Sequence, residues 1–139
     1  MASELEVRRV HRDVILELRG RVLSSLEARV GAFPNDLASP TRHWAAFATG
    51  EVVGCVSVMR LRGCALRGMA VAPEHQRRGV GGALVRAVYA DVAVPMWCNA
   101  RLDAVGFYAG HGWTAVGPVF EIEHHGPHQR MTWGGLGRP

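Results

Sequence analysis

The chain has 139 residues, a length that fits one domain with a real core, so residues 1–139 are expected to form a single domain. Apolar residues make up 48% and charged residues 20%, the balance of an ordinary soluble globular protein, and no stretch approaches the ~18 apolar residues a membrane span needs. The net charge of +4 is carried by arginine without any lysine; the arginines are scattered and interleaved with acids, which argues against a nucleic-acid partner and for a mildly basic surface with some charge kept for an anionic cofactor.

The N-terminal end is charged early (Glu4, Glu6, Arg8, Arg9) and has no apolar signal core, so a cytoplasmic location is expected, with no membrane partner. Leu5 to Val10 alternates apolar and charged residues and predicts a first strand. Asp13 is the expected cap of the helix that follows, in which Ile15, Leu18, Val22 and Leu26 fall on one face. Gly31 to Pro40 holds glycine, two prolines, Asn35 and Asp36 and predicts a loop. Thr41–Ala48 and Val52–Leu61 predict a hairpin turning at Gly50–Glu51, and Cys64–Ala72 a third strand after a turn at Arg62–Gly63. Gly68 marks a weak or bulged position in that strand.

The next stretch joins strand, loop and helix. Met69-Ala70-Val71 ends the third strand, Pro73 breaks it, and Gln76-Arg77-Arg78-Gly79-Val80-Gly81-Gly82 leads into a helix over Val80–Val92. The first turn of a helix has N–H groups without intrahelical partners and partial positive charge, so such a junction can hold an anion. Glycines there let a phosphate come close to the main chain, and Arg77 and Arg78 add positive charge. A glycine cluster at a helix start also serves as a plain turn. The P-loop is excluded by the absence of lysine, and the dinucleotide fingerprint by Leu84 in its third glycine position.

Val94–Asn99 is a nearly all-apolar run and predicts a strand buried on both faces. Leu102–Ala109 predicts a helix closed by Gly110 and Gly112. Trp113–Ile122 is strand-like with an interruption at Gly117-Pro118; His125–His128 predicts a turn and Gln129–Trp133 a last strand. Three cysteines without a Cys-x-x-Cys spacing indicate neither a disulfide framework nor zinc. Cys55 and Cys98 are expected to be buried and Cys64 more exposed. The clustered His124, His125 and His128 have no known metal-ligand spacing, so no metal is expected.

Gln76-x-x-Gly79-x-Gly81, with its preceding strand and following helix, resembles the acetyl-CoA-binding motif of the GNAT superfamily of N-acetyltransferases. Ala104-x-x-Phe107-Tyr108-x-x-x-Gly112-Trp113 is similar to a second motif of that superfamily. Leu18-Arg19-x-x-Val22-Leu23 and Pro127-His128-x-x-Met131 resemble motifs of a bacterial subgroup. The likeness runs from about Glu6 to Trp133. It implies an α/β (α+β) GNAT fold: a mixed, mostly antiparallel central sheet with a splay between two neighbouring strands and helices on both faces. It also implies transfer of acetyl from acetyl-CoA, the co-substrate, directly to a primary amine of a small molecule or protein. A homodimer is compatible with it. The alternative within the same fold is an inactive acyl-CoA-binding module used for sensing or assembly, since fold does not fix function.

By that resemblance the amides of Arg77 to Gly82 hold the pyrophosphate, and Met69, Ala70 and Val71 pair with the pantetheine. Tyr108 is the candidate acid, because a phenol is protonated at neutral pH and can donate to a departing thiolate; a binding-only or core tyrosine is the competing reading. Many relatives carry asparagine at position 101. Here it is Arg101, with Asn99 two residues earlier, so Arg101 is free to meet the cofactor or an acidic acceptor. His128 is the first candidate base, against a structural histidine bonding a carbonyl. Trp97 flanks the expected splay and could line the acceptor cleft.

Overall fold

A computed structural model describes residues 5–23, 37, 41–60 and 63–134. Leu26, Asn35, Asp36 and nearly all of the expected loop 31–40 lie outside the described residues. Seven strands form one sheet in the order β1-β2-β3-β4-β5-β7-β6. They are β1 (Leu5–Val10), β2 (Arg42–Ala48), β3 (Glu51–Arg60), β4 (Cys64–Val71), β5 (Met96–Arg101), β6 (Thr114–Ile122) and β7 (Gly126–Trp133). Among the described residues three α-helices, α1 (Leu16–Val22), α2 (Val80–Asp91) and α3 (Val105–Ala109), complete the order expected from the sequence. Among the described residues no helix is long and apolar enough to cross a membrane.

The alternation of β2 sorts the core. Ala45 packs with Ile15 at the start of α1, with Leu18 of α1 and with Cys55, Ala70 and Ala72 on one face. Trp44 and Ala46 pack on the other face with Val80, Leu84 and Val88 of α2 and with Tyr108 of α3. Leu84 and Val88 have no exposed surface, and burying side chains of this size contributes about 1.5–3 kcal/mol each. α2 can lie this close to β3 because of Gly54, where a Cβ would stand 2.6 Å from Cγ1 of Val80.

β4 and β5 run parallel and pair only at Cys64↔Met96 and Ala65↔Trp97; every other strand pair is antiparallel. Beyond Ala65 the two strands part, which is the expected splay. The bulge expected near Gly68 is present: three residues of β3 (Cys55 to Ser57) oppose four of β4 (Arg67 to Ala70), with Gly68 at φ 69°.

Several local expectations are corrected. His11, not Asp13, is the cap: its Nδ1 accepts from the amide of Asp13 at 3.1 Å, opening a 3-10 turn that precedes α1. The β2–β3 turn is Thr49-Gly50, both at positive φ as a tight two-residue hairpin requires, one residue earlier than expected. β5 begins at Met96 and is buried on one face only: Met96, Cys98 and Ala100 are buried while Asn99 and Arg101 are exposed. The apolar run misled because Val94 and Pro95 lie before the strand and are exposed. The expected helix 102–109 is a 3-10 turn, Leu102–Ala104, followed by α3. β7 starts at Gly126, so His128 lies in a strand, paired with Arg101 and Phe120, rather than in a turn. The Gly117-Pro118 interruption is a bulge in β6, and buried Gln129 satisfies it by donating Nε2 to the carbonyls of Val116 (3.0 Å) and Gly117 (2.9 Å). Arg19, part of the Leu18-Arg19 pair of the subgroup motif, is fully buried and donates Nη2 to Ser57 Oγ at 2.8 Å.

Candidate functional site

Two adjoining cavities open at the parting of β4 and β5. The first, about 750 Å³, runs along Met69, Ala70 and Val71, past Gln76, Arg77 and Gly79, to the first turn of α2 and across to Phe107 and His111 of α3 and its exit. The second, about 580 Å³, lies between β4, β5, β7 and α3 and includes Arg67, Asn99, Arg101, Tyr108, His125 and His128. Val22, Met69, Gln76, Ala104 and Phe107 line both, so the two form one continuous groove through the splay.

The loop between β4 and α2 is built from the main chain. Pro73–His75 is a 3-10 turn closed by His75 N–H donating to Ala72 O at 2.8 Å. Gln76 Nε2 donates to the carbonyl of Val71 at 3.0 Å and ties the loop back to the strand end. Arg77 and Gly79 both adopt positive φ, 64° and 85°. Gly79 caps α2, and the first intrahelical bond runs from Ala83 N–H to Gly79 O at 3.0 Å. The N–H groups of Val80, Gly81 and Gly82 therefore have no intrahelical partner. No acidic residue lies in that turn. Val80 is buried in the core, so what it presents to the first cavity is main chain.

Gly81 and Gly82 have a second reason to be small. A Cβ at Gly81 would stand 3.0 Å from the Phe107 ring, and one at Gly82 2.9 Å from His111 Nε2 and 3.2 Å from Arg86 Nη1. The missing side chains let α3 and its exit seat against the start of α2. His111 Nδ1 lies 2.9 Å from the Phe107 carbonyl, which can only accept, so Nδ1 carries the proton and Nε2 faces the helix start. Tyr89 locks the arrangement: its hydroxyl accepts from Trp113 Nε1 at 2.8 Å, donates to His111 O at 2.6 Å, and its ring stacks on Trp133 at 4.1 Å. Arg86 and His111 thus join the first cavity, though neither stood out in the sequence. Arg86 is one turn beyond the glycines, a spacing that could have flagged it; His111 reaches the site only through helix packing.

Tyr108 is buried, with its ring edge-on to Trp113 at 5.4 Å. Burial raises its phenol above the ordinary range, with smaller contributions from Cys98 and Tyr89. Burial likewise pushes the Cys98 thiol up to about 12, against a smaller opposing pull from Arg130. His128 is also buried; its Nδ1 donates to the Gly126 carbonyl at 2.9 Å, leaving Nε2 as the nitrogen able to take a proton. Asn99 Oδ1 accepts from Arg130 Nε at 2.7 Å, and that guanidinium lies 4.2 Å above the Trp97 ring. Trp97 lines neither cavity, so its expected place in the cleft is not met. Arg78 is exposed and lines neither cavity. Among the described residues no group of histidines, cysteines and acids could hold a metal ion.

A family model described as an acetyltransferase (GNAT) domain matches residues 39–115. The chain is 26% identical over 137 residues to the uncharacterized N-acetyltransferase YitI of Bacillus subtilis, a match covering 89% of this chain and 92% of that protein. It is similar in structure to ElaA of Escherichia coli, with a TM-score of 0.74, 17% identity and 94% and 99% of the two chains covered. It is also similar to an aminoglycoside 6'-N-acetyltransferase complexed with coenzyme A, with a TM-score of 0.71, 15% identity and 91% and 95% covered. At these identities the structural likeness is one of fold.

Proposed function

The chain belongs to the GNAT acetyltransferase family, and from that premise we propose that it transfers the acetyl group of acetyl-CoA directly to a primary amine, as a single-domain, cytoplasmic enzyme. The observation that carries the reading is the continuous groove: a strand edge, a positively charged helix start and a buried tyrosine meet along it. The thioester supplies an activated acetyl group; in the exchange a C–N bond forms, the C–S bond breaks, nitrogen loses a proton and sulfur gains one.

The free amides at the start of α2 suit a diphosphate, with Arg77 and Arg86 adding charge along the same wall. Met69 to Val71 border the splay, where β4 pairs with β3 on one side and has no strand on the other, so main-chain groups on its open side are available to an amide-bearing chain such as pantetheine. A strand amide there would also donate to the carbonyl oxygen as negative charge develops on it. Tyr108 is the acid in this reading. Burial keeps its hydroxyl protonated, so it is able to donate a hydrogen bond to the leaving sulfur as negative charge develops there. His128 Nε2 is the group that receives the amine's proton. Calorimetric titration with acetyl-CoA, together with mass detection of acetylated products over a panel of amines, tests the reading. Binding and acetylation are expected; no heat at millimolar acetyl-CoA would refute the cofactor assignment.

A further inference from the structure

The wall of the second cavity carries a sign. β5 alternates, so Asn99 and Arg101 share one face while Cys98 and Ala100 turn to the α2 side. Across the β5–β7 ladder Arg101 stands opposite His128 and Asn99 opposite Arg130, and residues directly opposite share a face. On β4, Arg67 stands opposite Ser57, whose hydroxyl accepts from Arg19 of α1, so Arg67 belongs to the α1 face as well. Arg67 and Arg101 line the cavity beside His125 and His128, and among the described residues no aspartate or glutamate does, so its formal charge is that of the two arginines. Arg101 is exposed to the cavity mouth and enters no ion pair among the described residues.

We infer that the acceptor is an amine that also carries an oxyanion, a carboxylate or a phosphate, and that Arg101 receives that group. This deepens the acetyltransferase reading above and rests on it. The planar guanidinium matches the two oxygens of either group. The same charges act on the nucleophile. A cationic wall disfavours the ammonium form of a nearby amine, so it eases the proton loss that attack requires. A polycationic acceptor would meet like charge throughout.

The test measures kcat/KM with the full-length protein at saturating acetyl-CoA. Substrates are the common L-amino acids beside their amides, phosphoethanolamine beside ethanolamine, and spermidine. At least one carboxylated or phosphorylated amine is expected to exceed its neutral partner by about tenfold or more, and which pair does so tells carboxylate from phosphate. R101Q is expected to bring that ratio towards one, with R67Q as the second variant should R101Q fail to fold. Preference for the neutral partners or for spermidine, or a ratio unmoved by both substitutions, would overturn the inference and leave the acetyltransferase reading standing. Acetyl-CoA binding without acetylation of any amine would overturn that reading, and this one with it.

Discussion

Replacing Cys98 by alanine should flatten the alkaline edge of the protein's stability. Cys98 lies on the core face of β5, and burial raises its thiol from the ordinary 9.0 to about 12. In the unfolded chain the thiol ionises near its ordinary value; in the folded chain it keeps its proton well beyond. The folded pKa is the higher of the two, so this contribution is fully present below pH 9 and is lost as pH rises towards 12. Within that window each pH unit costs about 1.4 kcal/mol, or about 4 kcal/mol across it. A domain of this kind is stable by only about 5–15 kcal/mol, so the loss is large. Tyr108 and Tyr89, both raised by burial, act in the same sense from pH 10 upwards. Urea unfolding at pH 8, 9, 10 and 10.5, under reducing conditions, reads the effect. C98A gives up some packing at every pH, but the gap between the two proteins should shrink by nearly 1.4 kcal/mol for each unit above 9. Parallel stability curves for C98A and the parent would refute the buried-thiol argument.

Other outcomes follow from the same geometry. Y108F should lower kcat by about a hundredfold while leaving the acetyl-CoA Kd within about twofold, since the ring packing survives and only the hydroxyl is lost. With burial holding that hydroxyl protonated, the parent's kcat should show no descending limb between pH 8 and 10 that Y108F abolishes; a pH–rate profile checks it. G79A should destabilise by about 1–2 kcal/mol, because position 79 needs φ 85° while a Cβ there meets nothing within 4 Å. Thermal unfolding reads this, and an unchanged Tm would show that the loop relaxes.

Much of the frame is legible in the chain because turns and termini have local causes. Pro73 and Gly79 end one element and start the next by their own backbone limits, so the junction of β4 and α2 reads directly from the sequence. The periodicity of α2 is likewise local, and it places the core face on Val80, Leu84 and Val88. Register and packing are different. Val94 and Pro95 read as strand because a short apolar run carries no phase, and the structure starts β5 two residues later. The His11 cap is a side-chain geometry that Asp13, the better capper on average, hides. His111 and Arg67 come to the groove through tertiary contact alone. The glycine pair shows how packing adds to a motif: the sequence expects Gly81 and Gly82 to admit a phosphate, and the structure shows that they make room for the end of α3.

The parting of β4 and β5 makes the sheet mechanically two pieces. Four strands on one side and three on the other share a seam of two residue pairs. Past that seam, α1 lies against one piece and Tyr108 of α3 packs close to Cys98 of the other, with the groove between them. A molecule lying along it is a strut as well as a reactant. Whatever binds there braces the two halves against each other and raises the free energy of unfolding by RT ln(1 + [L]/Kd). A ligand seated in the groove thereby holds together the gap it occupies.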